Sequence, residues 1–92
     1  MENTPLEYSK AVDKTASQIK SIQALGFEIN YRHLPHSEIE IHFIKKLSLN
    51  NQGIEIAITR VLPANEVLNV ITFSRHLESI YNYLCEKVKE LL

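Results

Sequence analysis

Apolar residues recur at steps of three and four over the first quarter of the chain, which predicts an amphipathic helix over about residues 5–25. Thr4, Pro5 and Glu7 form a capping box, with an N-cap hydroxyl, proline at the first helical position and glutamate at the third. Gly26 stands where a left-handed residue commonly ends a helix. We expect the buried stripe of this helix to consist of Tyr8, Val12, Ala16, Ile19, Ile22 and Leu25.

After this helix the period of the apolar residues changes to two, which predicts a series of antiparallel strands. The first strand runs to Pro35, and the second covers residues 38–49. Residues 50–53 are Asn-Asn-Gln-Gly, a composition typical of a turn, and the alternation then resumes. The second and third strands therefore form a hairpin, in which we expect Leu49 to face Ile54.

Residues 67–73 fit two different patterns. They are rich in β-branched and aromatic residues and follow a turn at 62–66, which predicts a fourth strand. A final helix over about residues 75–92, with Ser74 as its N-cap, then completes the chain. The alternative is one long helix from about residue 65, because the spacing of three and four is also satisfied by Val70, Phe73, Leu77, Ile80 and Leu84.

We adopt the strand, which gives the element order α-β-β-β-β-α. This order predicts an α+β fold, a two-layer sandwich in which an antiparallel meander of three to four strands carries the N- and C-terminal helices on one face. Residues 1–92 form a single domain in this interpretation. A chain of 92 residues buries a small core, so association with a partner would add stability.

Composition excludes several classes of function. Ten Lys and Arg against eleven Asp and Glu give a net charge of −1, without the basic bias of a nucleic-acid binder. The single cysteine excludes a disulfide within the chain and fits a cytoplasmic location. No apolar run approaches the length of about 20 residues that a membrane span needs, and the first residues do not resemble a secretory signal. We therefore expect neither nucleic acid nor membrane as a partner.

The outward positions of the third and fourth predicted strands are apolar, and helices on the opposite face could not cover them. An exposed apolar patch on a small domain indicates a protein partner or a homodimer. If residues 67–73 are helical instead, this patch does not exist. The predicted interface residues are Ile44, Ala57, Thr59, Val61, Leu68 and Val70.

A second hypothesis concerns ligand binding on the opposite, core-directed face. If Leu62 faced Val67 across a second hairpin, Lys45, Arg60 and Asn69 would lie close together. Buried cations need an anionic partner, so these residues would bind a carboxylate, a phosphate or an acidic peptide. The structural alternatives are a β-bulge near Lys45 or side chains that extend to the edge of the sheet.

Motifs for catalysis, metals and cofactors are absent from the sequence. His33, His36 and His42 do not have the spacing of known zinc sites, although an enzyme that uses them in a dimer cleft is a third hypothesis. There is no nucleophile motif and no glycine-rich phosphate loop, so we expect no metal and no cofactor. The leading hypothesis is a small non-enzymatic protein-binding module, such as an accessory, inhibitor or adaptor protein.

Overall fold

The computed structural model describes the backbone of residues 5–91 and the side chains of residues 7–90. The predicted cap residue Thr4 and the last residue of the predicted final helix lie outside this range. The chain has an α+β architecture, in which three antiparallel strands form one sheet in the order β1-β2-β3. The elements are α1 (Pro5–Ala24), β1 (Glu28–Leu34), β2 (Glu38–Leu49), β3 (Gln52–Pro63), α2 (Ala64–Leu68) and α3 (Val70–Leu91).

The hairpin of β2 and β3 turns through two residues rather than the four that we predicted. Asn50 and Asn51 have φ angles of 52° and 64°, the left-handed conformation that a tight two-residue hairpin turn requires and that asparagine tolerates. Leu49 consequently faces Gln52, and the predicted pairing of Leu49 with Ile54 is wrong. Because the register differs by two residues, each side chain stays on its expected face of the sheet.

The predicted fourth strand is wrong within the described residues, because α2 and α3 occupy this part of the chain. Asn69 separates the two helices with an extended backbone, and its side-chain oxygen accepts hydrogen bonds from the backbone N–H groups of Ile71 and Thr72 at 3.1 and 3.2 Å. It is therefore the N-cap of α3. Ser74, the predicted cap, is buried within α3 and donates a hydrogen bond to Oε1 of Gln18 on α1. The alternative of a long helix from about residue 65 is nearly correct, apart from this break.

The hydrophobic core joins the helices to one face of the central strand. Ile39, Ile41 and Phe43 on β2 have at most 4% of their surface exposed. Helix α1 contributes Ile22 to the core, and Phe27 follows this helix. The α3 members of the same buried cluster are Leu77, Ile80 and Leu84. The core therefore lies against the odd-numbered face of β2, as the alternation of its residues predicts.

The first half of α1 does not follow the predicted stripe. Tyr8, Val12 and Ala16 are exposed, whereas Thr15 is buried. The amide of Gln18 donates to the backbone oxygen of Ser74, so a polar contact joins the middle of α1 to α3. The last part of the stripe is correct, because Ile22 is in the core and Ile19 and Leu25 pack against it.

A lysine from the sheet closes the end of α1. The Nζ of Lys45 on β2 donates to the backbone oxygen of Leu25 at 2.5 Å and lies 6.0 Å from the centroid of the Phe27 ring. Gly26 has a φ of 95°, and a Cβ at this position would overlap with Lys45 Nζ. The ammonium therefore neutralises the carbonyl end of the helix, and glycine leaves room for it.

We predict that Gly26→Ala lowers the free energy of unfolding by about 1–2 kcal/mol, because the new side chain would be strained in a left-handed conformation and would displace the Lys45 ammonium. Gly53→Ala is the matched control, since a Cβ at Gly53 meets no atom within 4 Å. Urea denaturation of the two variants measures the difference. Equal stability of the two variants would contradict this account of the α1 terminus.

Candidate functional site

The predicted interface residues do not form one surface. Ile44, Ala57, Thr59 and Val61 lie on the outer face of the sheet, away from the core. Leu68 ends α2 and Val70 begins α3, so neither belongs to a strand. The structure divides the predicted patch because the fourth strand, which would have carried its second half, is helical. Two of the six predicted interface residues are among the exposed large hydrophobic residues, Val61 at 46% and Leu68 at 79% exposure.

A polar network occupies the middle of the outer face. Arg32 Nε donates to Glu40 Oε1 at 2.8 Å, and His42 Nε2 lies 2.5 Å from the same oxygen. Because a carboxylate oxygen only accepts hydrogen bonds, the imidazole donates through Nε2. Thr59 Oγ1 lies 3.0 Å from the other ring nitrogen, Nδ1. The four residues form a continuous chain of contacts across all three strands, which interrupts the apolar positions around it.

This network also favours the ionised form of its carboxylate. The hydrogen bond from Arg32 lowers the pKa of Glu40 below its usual value, and His42 acts in the same direction. Burial of the carboxylate opposes these two effects. The outer face therefore holds a carboxylate that is paired with two partners of the same chain.

The three residues of the predicted anion site have separate structural roles. Lys45 caps α1 and Asn69 caps α3, as described above. Arg60 Cζ lies 4.8 Å from the centroid of the Tyr83 ring on α3, a cation–π contact. Lys87 Nζ lies 5.3 Å from the same ring. The structure does not assemble the predicted site, because the hairpin that would have placed Asn69 opposite Arg60 does not form.

The described part of the chain contains an apolar cleft of about 520 Å³ between β1, α1 and α2. Its floor consists of core residues of β2 and α3, including Phe43 and Leu77. Its walls are formed by Ile29, Tyr31 and His33 from β1, Ile19 and Gln23 from α1, and Val67 and Leu68 from α2. The cleft thus leads from the surface directly to the hydrophobic core.

The wall formed by β1 is an edge of the sheet. This strand has seven residues, whereas β2 and β3 have twelve each, and it pairs only with β2 among the described residues. Within the described range, its second edge carries backbone N–H and C=O groups that have no strand partner. Tyr31, 69% exposed, lies at the rim of the cleft, and its ring meets that of His33 edge to face at 6.1 Å. An apolar cleft and a free strand edge therefore lie side by side.

Sequence reasoning missed this site, although it predicted the strand that forms one wall. Ile29 and Tyr31 alternate with Glu28, Asn30 and Arg32, which indicates one apolar and one polar face. That signal did not show that the apolar face would be left partly uncovered. The exposure of Leu68, a large apolar residue beside the cleft, is visible only in three dimensions.

The described residues place no three His, Cys, Asp or Glu side chains together where they could hold a metal ion. None of the helices they form is long and apolar enough to cross a membrane. Comparison of the chain with protein-family models, with curated proteins and with solved structures found no match.

We predict that Glu40→Gln destabilises the protein at pH 7 more than at pH 3. A carboxylate whose pKa is lowered in the folded state contributes stability above its unfolded pKa, and this contribution is lost as the pH falls below about 4.5. Chemical denaturation of the wild type and the variant at both pH values measures the two differences. Glu86→Gln on α3 is the control for removal of an exposed charge. A difference that is the same at both pH values would show that the network does not favour the ionised carboxylate.

Proposed function

We propose that this protein is a small non-enzymatic protein-binding module, an accessory, inhibitor or adaptor, that receives an extended segment of a protein partner along β1. The segment would add a strand to the free edge of the sheet and direct alternate side chains into the cleft. The observation that carries this proposal is the position of the apolar cleft directly beside an unpaired strand edge whose alternate residues line it.

Strand addition uses both features of this site. Backbone hydrogen bonds to β1 would supply affinity for any extended chain, and the cleft would supply specificity through every second side chain. A bound small molecule would fill the cleft but leave the backbone groups of β1 without a partner. A bound helix would have the same defect, because its own backbone groups are already paired.

The chemistry of β1 describes the segment that fits. Side chains that point into the cleft would meet Ile29 and Tyr31, so they should be apolar or aromatic. Side chains on the other face would lie beside Glu28, Asn30 and Arg32, so they should be polar or charged. The expected partner segment is therefore an amphipathic strand with a period of two.

The cleft is favoured over the outer sheet face as the binding surface. The middle of the outer face is occupied by Arg32, Glu40, His42 and Thr59, whose polar groups contact one another. Covering them would remove water from charged groups, which costs free energy unless new partners replace it. Around the cleft, by contrast, Tyr31 and Leu68 expose apolar surface whose burial is favourable.

We expect selection from a phage-displayed library of random twelve-residue peptides to enrich alternating apolar and polar sequences. The synthetic form of an enriched peptide should shift the amide NMR signals of β1 and α2. Tyr31→Asp and Leu68→Asp should each weaken its binding at least about tenfold, because each places a charge at the rim of the cleft. Both residues are largely exposed, so the fold should survive, which circular dichroism would verify.

Val61→Asp is the control, since it places the same charge at an exposed apolar position on the outer face. Because Val61 lies opposite Glu40, circular dichroism must also show that this variant is folded. Binding that is lost in Val61→Asp and kept in the other two variants would move the site to the outer face. Enrichment of no peptide, or binding that leaves β1 unchanged, would contradict the proposal. Binding of free hydrophobic amino acid amides without any extended peptide would indicate a small-molecule site.

A further inference from the structure

We propose that the extended segment is β1 of a second copy of this chain, so that two copies form a symmetric dimer through antiparallel pairing of their β1 strands. The dimer would join two three-stranded sheets into one of six strands. This inference rests on the proposed function, and it names the partner for the same site. The structural reason is that β1 is complementary to itself in one register.

In that register the two-fold axis passes through Asn30. Glu28 of each copy then lies directly opposite Arg32 of the other, which gives two cross-strand pairs of opposite charge on the outer face. On the cleft face, Ile29 lies opposite Tyr31 of the second copy, and this aromatic and β-branched pair also occurs twice. The two Asn30 side chains meet at the axis.

Other registers lack this complementarity. A two-fold axis at Tyr31 would place Glu28 opposite Leu34 and Arg32 opposite Asn30, without a direct ion pair. A slip by one residue of one strand against the other would turn the cleft-facing side chains of one copy to the outer face of the joined sheet. Apolar residues of one copy would then lie beside polar residues of the other. Charge and alternation therefore select the register centred on Asn30.

The edge of β1 lacks three of the features that commonly prevent such pairing. Protected edge strands carry a proline, an inward-pointing charge or a β-bulge. Glu28–Leu34 contains no proline, its cleft-facing residues are Ile29, Tyr31 and His33, and its pairing with β2 is continuous, without a bulge. A regular, partly apolar strand of seven residues is thus available to a second copy.

The dimer would also complete the cleft. A two-fold axis perpendicular to the sheet keeps the cleft faces of both copies on the same side, so the two clefts would meet beneath the joined strands. Tyr31, which is 69% exposed in one copy, would be covered by Ile29 of the other. Each copy would therefore supply part of the wall that the other lacks.

Two charge-reversal variants test this arrangement, each alone and in a mixture. Glu28→Arg places arginine opposite arginine, and Arg32→Glu places glutamate opposite glutamate, so each variant alone should dimerise at least about tenfold more weakly than the wild type. In an equimolar mixture, both variant positions would again face opposite charges. We expect the mixture to form a heterodimer, measured by light scattering and by native mass spectrometry.

Two further measurements make the outcome decisive. Glu86→Arg changes the net charge as Glu28→Arg does but is on α3 and not on the proposed interface strand, so this variant should remain dimeric. Arg32→Glu also breaks the contact with Glu40, so circular dichroism must show that it is folded, and Glu28→Arg tests the interface independently. A Glu28→Arg variant that dimerises like the wild type, or a mixture that stays monomeric, would overturn the inference.

The oligomeric state of the wild type and its binding of selected peptides together distinguish the proposed dimer from the proposed strand-binding function, on which the dimer rests. A wild type that is monomeric at about 100 µM, a concentration at which a dimer of micromolar Kd would be almost fully formed, and that binds selected peptides along β1 would overturn the dimer and leave the strand-binding function intact. A monomeric wild type that binds no peptide would overturn both. A wild-type dimer that an excess of selected peptide converts to peptide-bound monomers would support both.

Discussion

Burial of one face of β2 is the constraint on which the rest of the structure depends. Ile39, Ile41 and Phe43 are almost completely covered, and the helices supply most of that cover, because β1 and β3 lie beside β2 in the sheet and not over its face. Helices α1 and α3 contribute the buried side chains that do so. Strand β1 is shorter than β2 and lies at the edge, so the cover over its apolar face is incomplete. The cleft is therefore a consequence of unequal coverage of one sheet.

Most helices and strands could be predicted from the sequence because periodicity and turn composition depend on residues only a few positions apart. The period of two located three strands, and Gly26 located the end of α1. Residues 67–73 could not be assigned in this way, because β-branched composition and helical spacing gave opposite predictions there. In the structure this segment is helical, and two side-chain hydrogen bonds support the helix. Asn69 caps α3, and Ser74 donates a hydrogen bond to Gln18, which is 56 residues away in the sequence. The second of these contacts depends on how the helices pack, which no local pattern contains.

The candidate site was less predictable than the fold. The two cations on the core-directed face do have partners, as their position in the sequence predicts, but neither partner is a bound ligand. Lys45 has the carbonyl end of a helix instead, and Arg60 has the Tyr83 ring. Both partners are uncharged groups of the same chain, the dipolar end of a helix and the face of an aromatic ring, which composition and net charge do not reveal. The cleft was not predicted because its shape depends on the length of β1 relative to β2 and on the packing of the helices, which local sequence patterns do not show.

The position of charge along β1 restricts the direction of any strand that pairs with it as well as its composition. In a parallel pairing of two β1 strands in register, Glu28 would lie beside Glu28 and Arg32 beside Arg32, which is unfavourable at both ends. In the antiparallel pairing both contacts become attractive. For a foreign segment, the same rule requires a basic side chain near Glu28 and an acidic one near Arg32. Because Arg32 already contacts Glu40, a second carboxylate would share the guanidinium with it, and the polar network of the outer face would extend into the added strand.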